Sequence, residues 1–293
     1  MRLKILPILV ILGFLAAACQ PGSPAPSTPT PTPAVILTDT PSPAPIDTET
    51  PTPNISPTAE ETPTSTPTAA APSRPHEAIF IQEPGPGSHV TGPIRVAGIA
   101  DPTFEQNLVV RVVLDEGTEV IQVPTTIHAD VGQRGPFEVE VPVDLAEQRN
   151  IFIQVYASSA RDGGVTHLSS TGVIFSPAGP EDIVTNEPHP EQIAVFQPQN
   201  GGTVSGSVAH VEGFALASFE QTLQIDILDA EGNVVGSQPV TVQAPDLGQP
   251  GPFSADVAYS VTASGPGRVV VRDVSPAFGG DTHLSSVEIT LQP

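Results

Sequence analysis

Tryptophan is absent, tyrosine occurs twice and cysteine once in these 293 residues. A single cysteine excludes an intrachain disulfide and any thiolate-rich metal centre. The shortage of tryptophan and tyrosine leaves few flat aromatic faces on which sugars or bases could stack. Basic residues are scarce too, with 10 Lys plus Arg against 32 Asp plus Glu and a net charge of −22. So few cations cannot neutralise a run of phosphates, which excludes nucleic acid as a default partner. Docking on anionic lipid through a basic patch is excluded for the same reason. Helical periodicity of useful length is missing, as are a Gly-x-Ser-x-Gly elbow and a phosphate-binding loop.

Proline is what the chain has in excess: 36 residues, 16 of them between Gln20 and His76. Residues 20–77 are otherwise Thr, Ser and Ala with scattered acids, as in Pro29-Thr30-Pro31-Thr32-Pro33. Too few apolar side chains occur there to offset the entropy of ordering, so this stretch reads as a disordered Pro/Thr-rich linker. In extended polyproline form it would reach at most roughly 180 Å. Ahead of it, Arg2 and Lys4 precede an apolar run, Ile5 to Leu15, and then Ala16-Ala17-Ala18-Cys19. That run is too short to span a bilayer, which takes about 20 apolar residues, and reads as an export signal. Residues 1–19 resemble the signal peptide of bacterial lipoproteins, whose cysteine becomes the lipidated first residue of the mature chain. The position three before the cysteine is Ala16, where such signals usually carry leucine. The resemblance implies lipidation of Cys19 and attachment to the outer face of a cell membrane.

Beyond the linker lies an internal repeat with a period near 115. Phe104-Glu105-Gln106 recurs as Phe219-Glu220-Gln221, and Gly135-Pro136-Phe137 as Gly251-Pro252-Phe253. Thr166-His167-Leu168-Ser169-Ser170 recurs as Thr282-His283-Leu284-Ser285-Ser286. The copies occupy residues 78–176 and 193–293, and residues 177–192, rich in proline and acid, read as a linker. Within each copy Leu108, Val110 and Val112, answered by Leu223, Ile225 and Ile227, recur at every second position. The same holds for Phe137, Val139, Val141 and Val143 and for Phe253, Ala255, Val257 and Tyr259. Period two is that of half-buried strands. With turn signals at Glu116-Gly117 and Glu231-Gly232-Asn233, the expectation is two all-β, antiparallel sandwiches of about seven strands each. The Pro- and acid-rich linker predicts that they fold independently with limited contact.

Each copy resembles the immunoglobulin-like domain of bacterial spore germination, the Gmad type. The likeness rests on Val90-Thr91-Gly92 and Val204-Ser205-Gly206, on Val96-Ala97-Gly98 and Val211-Glu212-Gly213, on the Phe-Glu pairs, on Gly-Pro-Phe, and on a Gly-rich loop before the last strand. It implies an immunoglobulin-like sandwich on an exported, often lipid-anchored protein with no established enzymatic activity.

Several residue groups are candidate sites. Glu105 and Glu220 follow phenylalanines expected in the core, where a carboxylate would hold loop backbone by charge-assisted hydrogen bonds. In Gly135-Pro136-Phe137 and Gly251-Pro252-Phe253, glycine relieves the preceding turn, proline sets φ and phenylalanine plugs the core. His167 and His283 lie near Asp162 and Asp281, which invites a hydrolase or a metal. One histidine and one aspartate per copy are too few ligands, and a segment repeated in tandem suits a fold element better than one active site. Carboxylates at Asp115, Glu116 and Glu231 lack the dense alternate spacing of a calcium loop. The expectation is therefore no catalytic centre, no cofactor and no metal. The function expected is a surface-displayed binding or adhesion module of the cell envelope, holding a protein or glycan and anchored to lipid through Cys19. The alternative is a structural envelope spacer without a specific ligand.

Overall fold

Strand pairs built on period two bury one face each, and the computed structural model describes them in residues 73–216, 220–277 and 279–293. Cys19, Phe219 and residues 1–72 lie outside the described residues. The first repeat contributes β1 (Ile79–Glu83), β2 (His89–Val90), β3 (Ile94–Ala100), β4 (Asn107–Leu114), β5 (Glu119–Thr126), β6 (Gly135–Val141), β7 (Arg149–Ser158) and β8 (Val165–Phe175). The second contributes β9 (Ile193–Gln197), β10 (Gly202–Val204), β11 (Val208–Ala215), β12 (Thr222–Leu228), β13 (Val234–Thr241), β14 (Gly251–Ala258), β15 (Gly265–Val274) and β16 (Asp281–Leu291). Sheet β1-β3-β6 faces β5-β4-β7-β8, and β9-β11-β14 faces β13-β12-β15-β16 in the same way. These are two immunoglobulin-like sandwiches, antiparallel apart from β2 on β8 and β10 on β16, which run parallel.

Leu108, Val110, Val112, Leu223, Ile225 and Ile227 fill the two cores as the periodicity predicts. Two of the repeated motifs interlock there. Gly98 stands opposite Phe137 in the β3–β6 register, and Gly213 opposite Phe253 in β11–β14. A Cβ on Gly98 would lie 2.6 Å from the Phe137 ring, and one on Gly213 2.4 Å from the Phe253 ring. The glycine of Val-x-Gly thus makes the slot that the phenylalanine of Gly-Pro-Phe fills. Gly135 and Gly251 are glycines for a related reason. Neither adopts the left-handed backbone of a turn; a Cβ on Gly135 would meet that of Ala129 at 2.5 Å, and one on Gly251 the nitrogen of Ala244 at 2.5 Å. Close approach, rather than turn relief, is what these positions require.

The expectation of limited contact between the repeats does not hold. β8 pairs with β16, so the larger sheets of both sandwiches join into a single ten-stranded sheet. Leu168, Val270 and Leu284 form a small apolar cluster at that seam. Nor does the segment between the repeats hang free. His89 bridges Asp182, Gly85 N–H donates to the Val184 carbonyl, and Asn186 N–H donates to that of Gln82. These bonds lay it along the first sandwich.

Candidate functional site

The Phe-Glu-Gln motif folds as a single 3-10 turn whose Glu105 and Gln106 take left-handed φ values of 52° and 59°. Glu220 and Gln221 repeat this at 47° and 54°. Phe104 is not a core residue. It is 58 % exposed, and the buried member is Gln106. The Gln106 side-chain N–H2 points at the carbonyls of Ala129, Asp130 and Gln133, and the backbone carbonyl of Gln106 accepts from Ile127 N–H. Gln221 accepts from Val242 N–H in the same manner. Gln106 therefore does the loop-holding expected of Glu105, whose exposed carboxylate accepts only from the neighbouring Asn107 amide at 3.4 Å. Carbonyls of this loop converge on one point, and a neutral amide can donate to them where a carboxylate could not. Two consecutive non-glycine residues in left-handed backbone are strained, and here they set Phe104 outward. It stands at a cleft of about 500 Å3 that Asp101, Ser159, Arg161, His167 and Glu288 also line.

The second concentration of chemistry lies at the seam. Leu168 stands opposite Leu284, its own counterpart in the other repeat. Glu77 and Glu191 are counterparts as well, each two residues before the first strand of its sandwich. They reach across to each other's repeat. Ala78 N–H donates to Glu191 Oε2 at 2.7 Å, and Gln192 N–H donates to Glu77 Oε2 at 2.8 Å. His167 Nε2 lies 3.2 Å from Glu191 Oε1, and His189 Nδ1 lies 3.7 Å from Glu77 Oε2. Glu77 is 1 % exposed and its Oε1 makes no aligned hydrogen bond. The 3.2 Å contact of His167 is a close approach without hydrogen-bond alignment.

Electrostatics at this seam follow from burial. Desolvation, and then the charge of Glu191, push Glu77 up to about 8, against the pull of His167, the bond from Gln192 N–H and the nearby Ser169 hydroxyl. Burial alone would lower His167, but Glu191, with Glu77 and Asp101 further off, outweighs it and raises its pKa. His283 is held down to about 4 by burial, with His167 and His189 reinforcing and Glu191 opposing.

The aspartates that flank the histidines in sequence go elsewhere. Both oxygens of Asp162 accept from Arg268 Nη2 at 3.0 Å, and Asp281 accepts from Arg272 at 3.1 Å. Burial by itself would raise Asp162, but Gly164 N–H and Arg268 overcome it and bring the carboxyl down to about 2. Asp115 and Glu116 are ion-paired with Arg149. Glu77 and Glu191 were hidden to sequence reasoning because they fall in stretches read as linkers. Their signal was there: Glu77-Ala78-Ile79 and Glu191-Gln192-Ile193 are one repeat period apart.

Two immunoglobulin-like sandwiches fused through one sheet define the class. The family model "immunoglobulin-like domain of bacterial spore germination" (Gmad2) matches residues 78–164 and again 192–280, more than half of the chain. The chain belongs to that family, in a tandem arrangement. No curated protein matches it in sequence. Among solved structures, red sea bream transglutaminase is similar at 9 % identity and a TM-score of 0.26, over 74 % of this chain and 31 % of that one. The chain thus spans under a third of the transglutaminase. The titin domains Z1Z2, solved in complex with telethonin, are similar at 15 % identity and a TM-score of 0.19, over 74 % of this chain and 96 % of theirs.

Proposed function

We propose that the protein is a non-enzymatic binding module of the bacterial cell envelope, anchored to the membrane through Cys19 and displayed at the surface on its Pro/Thr-rich stretch. The observation that carries the reading is Phe104, a large apolar side chain 58 % exposed above an interdomain cleft and set outward by a strained turn. Strain of this kind costs of order 1–3 kcal/mol and persists where function uses it. An aromatic anchor beside a polar rim is the usual make-up of a protein-binding hot spot. The partner is a protein or glycan of neutral or cationic surface, since a chain of net charge −22 repels anionic polymers.

A second reading, a structural spacer without a ligand, draws on the shared ten-stranded sheet, which would hold the two sandwiches as a single stiff unit. Two measurements test the proposal. Mass spectrometry of the mature N-terminus is expected to find diacylglycerol on Cys19; an unmodified start elsewhere defeats the anchoring. Cross-linking in intact envelope is expected to yield a partner that Phe104→Ala loses. Self-association alone, equal in both proteins, favours the spacer.

A further inference from the structure

We propose that the seam between the two sandwiches is a binding site for a divalent transition-metal ion of the zinc class, held by Glu77, His167 and Glu191. Each of the three offers one donor atom, and those atoms lie within 4.8 Å of one another. The structural work of the two glutamates uses only half of each carboxylate. Oε2 of Glu77 and Oε2 of Glu191 take the exchanged backbone N–H groups. Oε1 of Glu77 is buried and makes no aligned hydrogen bond, although Ser169 lies beside this carboxyl, and His167 Nε2 is likewise buried and makes no aligned hydrogen bond. A buried carboxylate oxygen without an aligned hydrogen bond in a purely structural cluster is costly, so its persistence calls for something between these atoms.

Spacing agrees with that occupant. Zinc–nitrogen and zinc–oxygen bonds of about 2.0–2.2 Å put neighbouring tetrahedral ligands roughly 3.3 Å apart. The 3.2 Å between His167 Nε2 and Glu191 Oε1 is close to that edge, and it is not filled by an aligned hydrogen bond. No donor separation exceeds 4.8 Å, so a tetrahedral set needs a closure of at most about 1.5 Å.

Donor chemistry selects the ion. One imidazole nitrogen with two carboxylate oxygens is a borderline set that suits zinc, cobalt or manganese. Calcium takes six to eight oxygens and is poorly served by it. Three protein ligands leave a fourth position open, and a pocket of about 220 Å3 lined by Ala78, His167, Glu191, Ile193 and Ser285 reaches the site. Because Glu77 and Glu191 open the two sandwiches and His167 sits on β8, the ion would tie three elements of the seam together.

The experiment uses the full chain, stripped with a chelator and titrated with Zn2+ by calorimetry, with Co2+ as an optical probe of coordination. One tight site per chain is expected, with Co2+ giving the visible bands of a low-coordinate complex. Glu77→Gln and Glu191→Gln keep side-chain volume and are each expected to weaken Zn2+ by more than the roughly 10–100-fold loss typical of an outer-shell partner. His167→Ala is expected to abolish the Co2+ bands. His210→Ala removes an exposed histidine 2.7 Å from Asp256 and is expected to change nothing. Absence of a tight site in the parent protein, or binding that survives both glutamine variants, overturns the proposal. So does Ca2+ displacing Zn2+ at equal concentration.

Discussion

Arg268→Met tests whether the two sandwiches are one mechanical and thermodynamic unit. Arg268 lies in β15 of the second sandwich with no exposure, and its Nη2 donates to both oxygens of Asp162 in the first. Its Nε donates to Glu288 at 2.8 Å on the neighbouring strand. Asp162 is itself only 3 % exposed. Methionine retains much of the apolar stem of arginine and removes the charge. Breaking a buried pair by deleting one partner costs about 3–5 kcal/mol, because the remaining charge stays buried without compensation. Asp162 would keep Gly164 N–H at 3.0 Å and Arg161 at 3.4 Å, so the lower end, about 3 kcal/mol, is expected. For a unit of this size each kcal/mol lowers the midpoint by about 2–4 °C, giving a fall of about 6–12 °C. Scanning calorimetry of the full chain reads that fall directly. Tyr156 in the first sandwich and Tyr259 in the second contribute to one optical signal that covers both halves. Loss of the bridge should also split that signal into two steps. The double variant Arg268→Met/Asp162→Asn, which leaves no orphaned charge, should recover most of the loss. A single variant costing under about 1 kcal/mol, or a double variant as unstable as the two singles added together, would refute the reasoning.

Phe137→Ala and Phe253→Ala each delete a fully buried ring and should cost about 3–5 kcal/mol in urea unfolding, with no rescue from the glycine slot that faced the ring. Gln106→Ala removes the buried amide on which the 129–133 loop carbonyls converge and should cost about 1–3 kcal/mol, whereas Phe104→Ala should stay within about 0.5 kcal/mol of the parent; equal losses would contradict the assignment of the motif. The Asp162 carboxyl, depressed from 3.8 to about 2, contributes stability that is present above pH 3.8 and lost as pH falls through 2. Acid titration of unfolding free energy should show about 2 kcal/mol disappearing in that window, and less in Arg268→Met.

Residues whose role is set by their immediate neighbours were legible in the sequence. Leu108, Val110 and Val112 announce a strand and a core by period alone, and Phe137 with Phe253 was correctly read as plugging the core. Phe104 was misread because hydrophobicity says nothing of direction. The left-handed turn at Glu105 and Gln106 that points it outward has no signal in residue type, since neither position is glycine or asparagine. Gln106 was missed because a neutral amide becomes important only when three carbonyls from residues 129–133 converge on it. The seam is the largest omission. Pro and acid richness around residues 77 and 191 argued for solvent, yet both glutamates are buried, each capping the opposite repeat. Pairing between repeats is a long-range event that local composition does not encode.

The seam also explains why this duplication differs from two beads on a string. Leu168 faces Leu284, and Glu77 and Glu191 exchange backbone hydrogen bonds, so counterparts meet counterparts about a local pseudo-twofold axis. Such self-complementary contact is the mark of an isologous dimer interface, here between two copies on one chain. Covalent linkage then allows the copies to diverge without losing the pairing, because the partner is always present at high effective concentration. Divergence is visible at the rim. Arg268 and Asp162 meet only once, and Gln154 donates at 2.7 Å to the Asp281 carbonyl, with valine standing at its own counterpart position 270. His167 gains Glu191 at 3.2 Å while His283 is held neutral down to about 4. With one histidine beside a carboxylate and its twin held neutral, a seam that began as two equal halves becomes a single asymmetric site. A homodimer of identical chains could present such a site only by breaking its own symmetry.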